Sequence, residues 1–218
     1  MIGTVNILNG TEMYKDFKEK QFLEPNSMIP FNEAMCYGET CDDIFSDEFI
    51  ELRANVHHVT TAQYAEITIK PLEPLLKGNV DRIALWFDED MFCQINLLTI
   101  LAWLDQTDYK GSIDLHLVDD QFHRVIDYSL QAEGYEPLYK QVMIQKTIPQ
   151  KVHPSPLKKG IDLYLSYLKK DSDLMMYIQK HQDVQVEELV SLLIENFKEY
   201  GLGDTQYFEI VNTSRQNL

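Results

Sequence analysis

Through the first two-thirds of the chain, short apolar runs alternate with longer amphipathic stretches, and the runs stop at Asn, Asp or Glu. Thr4-Val5-Asn6-Ile7-Leu8 ends at Asn9-Gly10, and Met28-Ile29-Pro30-Phe31 ends at Asn32-Glu33. Arg82 to Phe87 breaks into Asp88-Glu89-Asp90, and Ser112 to Val118 breaks into Asp119-Asp120. Short apolar runs bounded by polar turns read as buried strands. Pro30 keeps the second of them brief or near a sheet edge.

The intervening stretches have helical spacing. Thr11 to Lys20 has Thr11 as a candidate N-cap. Asp42 to Leu52 places Ile44, Phe45, Phe49 and Leu52 on one side, and Thr60 to about Ile69 does so with Ala62, Ala65 and Ile69. Pro71 and Pro74 are expected to limit the latter. Gln94 to Leu104 has the widest apolar stripe, and Phe122 to Glu133 reads as a helix closed by Gly134. Strands separated by helices predict a mostly parallel sheet with right-handed crossovers, hence a Rossmann-like α/β domain over residues 1–148.

From Tyr135 the character changes. Val142-Met143-Ile144 reads as one further strand, and Pro149, Pro154 and Pro156 mark a connector. Three helical patterns follow: Leu157 to Lys169, Leu174 to His181, and Val186 to Tyr200. Gly201-Leu202-Gly203 then breaks the pattern, with Asp204 placed to cap a short final turn. Residues 149–218 are therefore expected to form a smaller helical part packed on the α/β domain.

Composition narrows the function classes. The chain has 218 residues, is 44% hydrophobic and carries a net charge of −16. Residues 1–139 hold 9 Lys/Arg against 25 Asp/Glu, whereas residues 140–180 hold 8 against 3. The acidic first part would repel a polyanion, which argues against nucleic-acid binding. No apolar run reaches the roughly 18 residues of a membrane span, and Met1 to Gly10 lacks a basic, apolar secretory start. A cytoplasmic protein is expected, with a homodimer as the base-rate assembly. Cys36, Cys41 and Cys93 are few and odd in number and have no zinc spacing, so they read as structural thiols.

In open parallel sheets, ligands bind beyond the carboxyl ends of the strands, near the point where strand order reverses. Asn9, Gly10, Glu33, Asp88 and Asp90 fall at such ends, and Gln94 follows Asp90 by four residues. Clustered carboxylates suit a hard divalent cation, for which Mg²⁺ is the expected ion, with Asp88 and Asp90 as its ligands. Alternatively, Asp88, Asp90 and Glu33 could have their pKa values driven apart and work as acid and base. Acids also favour helix starts for purely structural reasons, so either chemistry competes with simple capping. Asn9-Gly10-Thr11 would suit a phosphate turn, but neither G-x-G-x-x-G nor a Walker loop is present. An Asp119–His123 pair reads as a helix-start ion pair or an oriented imidazole.

Trp86 and Phe87 read as strand residues filling the space between sheet and helices. Tyr135, Tyr139, Tyr164, Tyr167 and Tyr177 suit either helix packing or a groove for a protein partner.

Three landmarks together resemble the bacterial domain of unknown function 1835 family. They are the first strand ending at Asn9-Gly10, the segment Ile29-Pro30-Phe31-Asn32-Glu33-Ala34-Met35-Cys36-Tyr37-Gly38, and Leu85-Trp86-Phe87-Asp88-Glu89-Asp90-Met91-Phe92-Cys93-Gln94 with its Leu-rich helix. The resemblance covers about residues 4–120, and Tyr200-Gly201-Leu202-Gly203-Asp204 is similar to its companion region. The second landmark departs from the family's usual Trp-Arg-Asp and Gly-Pro, which removes an anion-binding arginine there. The family brings no assigned activity. It implies a bacterial cytoplasmic protein and singles out Asn9, Gly10, Glu33, Gly38, Asp88, Asp90 and Gln94. The resulting expectation is a small polar ligand, a nucleotide or sugar derivative, bound at the strand ends by a hydrolase or transferase. The alternative is a non-enzymatic adaptor using its helical half.

Overall fold

The structure is a computed structural model describing residues 2–77 and 80–216. Five strands form one sheet in the order β2-β1-β3-β4-β5: β1 (Ile2–Asn9), β2 (Met28–Phe31), β3 (Val80–Phe87), β4 (Ser112–Val118) and β5 (Arg124–Leu130). The first four are parallel and β5 is antiparallel to β4. This is an α/β fold with a mostly parallel sheet, as the alternation of strands and helices predicts. The chain leaves β1 toward β2 on one side and returns to β3 on the other. The order reversal therefore lies between the carboxyl ends of β1 and β3.

The sheet has two unequal faces. Helix α1 (Thr11–Glu19) covers one, where Met13 and Phe17 meet Leu8, Ala84 and Trp86. Trp86 makes an edge contact with Phe17 at 5.2 Å and donates its indole N–H to Asn6 Oδ1 at 3.1 Å. On the other face, Val5, Ile7, Ile83, Leu85 and Phe87 join the main core. The alternation of Leu85 and Phe87 with Ala84 and Trp86 is the period of two of a pleated strand. Trp86 and Phe87 are both buried in the packing role expected of them.

Helices α2 (Asp47–Val56), α3 (Thr61–Tyr64) and α4 (Lys70–Lys77) lie between β2 and β3. Ser46 caps α2 by accepting the Phe49 N–H, and Thr60 caps α3 in a reciprocal box with Gln63. The expected helix from Asp42 thus starts at Asp47. Pro71 and Pro74 do not end the next one. A π turn over Ala65–Ile69 widens the ladder just before them, and the helix continues to Lys77.

Helix α5 (Met91–Gln106) follows β3 directly, and twelve of its residues are buried. It is covered on both sides, by the sheet and by α6 (Tyr135–Tyr139) and α7 (Ser155–Tyr167). Helices α8 (Asp173–Lys180), α9 (Val186–Asn196) and α10 (Asp204–Gln216) complete the C-terminal region. One continuous core runs from Val5 to Val211.

Three local expectations are corrected. The expected helix from Phe122 to Glu133 is instead mostly the edge strand β5, formed because a hairpin over Asp119–Phe122 lets its backbone pair with β4. Gly134 consequently precedes α6 in a left-handed conformation and closes no helix. Val142-Met143-Ile144 is the end of a π turn, Lys140–Ile144, that buries Val142 and Met143 against the core. Asp204 begins a full helix rather than a short turn. Among the described residues no helix is long and apolar enough to cross a membrane.

Candidate functional site

The carboxyl ends of β1, β2 and β3 meet in one buried polar network. Gly10 makes the first turn at φ +92° and ψ 169°, a conformation open essentially to glycine alone. It lets α1 start with no side-chain cap, so Thr11 is not the N-cap; its hydroxyl donates to Asn32 Oδ1 at 2.8 Å. Asn9 accepts from Asn96 Nδ2 at 2.9 Å and donates to the Cys93 sulfur at 2.8 Å. Asn96 also donates to the Glu33 carbonyl at 2.6 Å and accepts the Met35 N–H at 3.0 Å. The side chain of Asn96, fully buried on α5, thereby ties β1 to the segment after β2.

Glu33 is the centre of the arrangement. Its side chain has 0% exposure, and Arg53 Nη2, also with 0% exposure, lies 2.7 Å from Oε1. His57 Nε2 is 2.6 Å from the same oxygen, and the Tyr64 hydroxyl donates to Oε2. Burial alone would raise the Glu33 pKa, but the hydrogen bond to His57 and the charge of Arg53 hold it down at about 2. Arg53 further donates to the carbonyls of Ala34, Tyr37 and Glu39 at 2.7–2.9 Å. It therefore fixes the whole turn after Glu33. Arg53, His57 and Tyr64 were not picked out from the sequence. The only hint was that a buried acid after β2 needs a cation, and nothing in a linear pattern says which one.

His57 stacks beside Tyr64 and is 31% exposed. It borders a cleft of about 80 Å³ lined by Ala34, Tyr37, His58, Gln206 and Glu209 among others. Glu33 engages its Nε2. The cleft joins the segment after β2 to the first turns of α10. Gly38, an expected ligand contact, packs tightly on α2. Its φ is +73°, and a Cβ there would strike Val56 of α2.

At the end of β3 the acids are occupied locally. Asp90 caps α5, accepting the Cys93 N–H at 2.6 Å. Burial pushes its pKa up to about 6, with nearby Asp88 adding to the rise. The C-terminal region closes over it, since a Cβ at Gly201 would collide with the Asp90 carboxylate. Asp88 is half-buried and also shifted upward, chiefly by burial. Gln94 has 0% exposure beneath α7, where Gly160 packs on it, and it donates to the Asp88 carbonyl at 2.6 Å. Its Oε1 has no hydrogen-bond partner among the described residues.

Glu33 is paired with Arg53, and among the described residues no three His, Cys, Asp or Glu side chains form a metal cluster. Of the two expected Mg²⁺ ligands, Asp90 is engaged as the cap of α5 and Asp88 is half-buried beside it. Burial also pushes the Cys36 thiol up to about 12 and the Cys93 thiol well above its usual value, so neither is a ready nucleophile. His123 does lie 3.4 Å from Asp119, but on the exposed β4–β5 hairpin rather than at a helix start. Tyr135, Tyr139 and Tyr164 are buried core residues, and Tyr167 and Tyr177 are partly buried and packed against the same core.

No protein-family model matches the chain, and no curated protein or solved structure is significantly similar to it. What the molecule is at this level is an α/β protein whose strand ends carry a buried Glu–Arg pair and a half-open histidine.

Proposed function

We propose that the chain binds a small polar ligand in the cleft beside the segment that follows β2, with His57 as the acid–base group that meets it. The observation that carries this reading is the Glu33–His57 contact beside an open cleft. A buried carboxylate holds one imidazole nitrogen and leaves the other for a ligand, which is how a histidine is oriented for proton transfer. In the hydrolase or transferase form of the proposal, Nδ1 takes a proton from a water or ligand hydroxyl as its oxygen attacks the ligand's electrophilic centre. Nδ1 then returns the proton to the leaving group. Glu33 stabilises the imidazolium between these events, and Arg53 keeps Glu33 ionised.

A cleft of about 80 Å³ accepts one phosphate- or carboxylate-sized group or a few waters, not a whole nucleotide. Membership of the domain of unknown function 1835 family belongs to the same proposal. Its support is that the three landmarks, remote in sequence, all lie at one end of the sheet.

The test is ¹⁵N NMR of the His57 ring, with inorganic phosphate, acetate and ribose 5-phosphate as probes. A ligand at the cleft shifts Nδ1 more than Nε2, and His57→Gln removes the response while the protein stays folded. If millimolar probes leave both ring nitrogens unmoved, the reading is wrong.

A further inference from the structure

The groove between the end of α7 and α10 lies against the same cleft. It has a volume of about 320 Å³, and Tyr37 and Glu209 line both spaces. The Tyr37 hydroxyl donates to Glu209, so one hydrogen bond marks the boundary between groove and cleft. Both partners come from elements distant in sequence: the turn fixed by Arg53 and the helix α10.

The groove lining combines apolar, cationic and anionic groups. Tyr167, Met175 and Ile210 provide an apolar, polarisable wall, the kind of surface on which a planar ring packs well. Lys169 and Lys170 also line the groove, both exposed, with no ion-pair partner among the described residues. They sit within the one stretch of this acidic chain that carries excess positive charge. The Glu209 carboxylate, which accepts from Tyr37, also lines the groove and is an acceptor suited to hydroxyl groups.

We infer that this groove takes a nucleoside monophosphate: base against Tyr167 and Met175, sugar hydroxyls toward Glu209, and phosphate at Lys169 and Lys170. Volume argues for a mononucleotide, because about 320 Å³ is at the small end of ligand pockets and too little for a dinucleotide. Charge decides the orientation, since the phosphate is repelled by Glu209 and attracted by the two lysines. The inference builds on the His57 reading by naming its substrate class. The sugar end would lie toward His57 once the Tyr37–Glu209 bond opens.

The experiment is calorimetric and NMR titration of the full chain, methyl-labelled at methionine, with AMP, UMP, adenosine and ribose 5-phosphate. AMP and UMP are expected to bind and to shift the Met175 methyl, with adenosine and ribose 5-phosphate at least tenfold weaker. K169Q/K170Q, a surface change that leaves the core intact, is expected to weaken AMP at least tenfold and to flatten its salt dependence. An unmoved Met175 methyl, or AMP affinity unchanged in K169Q/K170Q, overturns the groove assignment. The two readings fail separately. Phosphate shifting His57 while AMP leaves Met175 unmoved removes only the groove. AMP shifting Met175 while no probe reaches the His57 ring removes the acid–base centre and leaves a mononucleotide-binding groove.

Discussion

The Nε2 atom of His57 lies 2.6 Å from Oε1 of Glu33, and that same oxygen receives Arg53 Nη2 at 2.7 Å. One carboxylate thus holds a fully buried guanidinium and a half-open imidazole at once. The guanidinium is a structural partner, tied to three carbonyls of the following turn. The imidazole is the only one of the two that a ligand can reach.

Removing one member of the buried pair leaves the other without a counter-charge. Glu33→Gln is expected to cost about 3–5 kcal/mol, and Arg53→Met a similar amount. The double variant should lose much less than the sum. Urea unfolding of the three variants and the parent checks this, and strict additivity would show that the two groups do not interact.

Glu33 also predicts acid lability. Its pKa is about 2 in the folded chain against an ordinary 4.5. A depressed carboxylate favours the folded state above the ordinary value, and that contribution is lost as pH falls from about 4.5 toward 2. The melting temperature of the parent should drop steeply across that interval. Glu33→Gln, less stable at neutral pH, should show a shallower drop.

Asp90 has the opposite sign. Its pKa is raised from 3.8 to about 6, so the folded state keeps a proton that the unfolded chain has released. The resulting penalty grows as pH rises from about 4 to 6 and is constant above that. Asparagine retains the capping acceptor for the Cys93 N–H without the charge. Asp90→Asn is therefore expected to stabilise by about 1–2 kcal/mol at pH 7.5 and by little at pH 3.5, measured by thermal melts at both values.

Gly38 faces a double constraint, a φ of +73° and Val56 in the space of a Cβ. Gly38→Ala should destabilise by about 2–4 kcal/mol. Adding Val56→Ala should recover the steric part and leave the backbone part. Denaturation of the single and double variants separates the two, and no recovery would mean that Val56 is not the obstacle.

Tyr164 is buried, and its hydroxyl accepts from Lys146 Nζ at 2.5 Å. Tyr164→Ala should cost about 3–5 kcal/mol as a core truncation, whereas Tyr164→Phe should cost about 1 kcal/mol. A well-folded Tyr164→Ala of unchanged stability would return this ring to the surface role of a partner-binding residue.

Some of this architecture was readable in the chain. The four parallel strands were, because each is a short apolar run punctuated by polar turn residues. The helix after β3 was, because a dense apolar sequence marks it from Gln94, although it starts earlier, at Met91. The edge strand β5 was not. Val125, Ile126 and Asp127 are all exposed there, so the segment lacks the alternation of a half-buried strand, and only pairing with β4 makes it one. Helix α4 passing through Pro74 was hidden as well, since a proline in the chain reads as a break where the structure keeps the helix continuous.

The candidate site divides along the same line. Sequence alone determined that Asn9, Glu33, Asp88 and Asp90 stand at strand ends, since hydrophobic periodicity sets where strands stop and polar residues must begin. Tertiary structure alone decided which of them retains a chemical option. Asp90 is used up by capping and by the loop at Gly201, and Gln94 is sealed under α7. Glu33 becomes a centre because α2 brings Arg53 and His57 to it from twenty or more positions away in the chain. Charge and burial are properties of neighbours in space, and a linear pattern records neighbours only along the backbone.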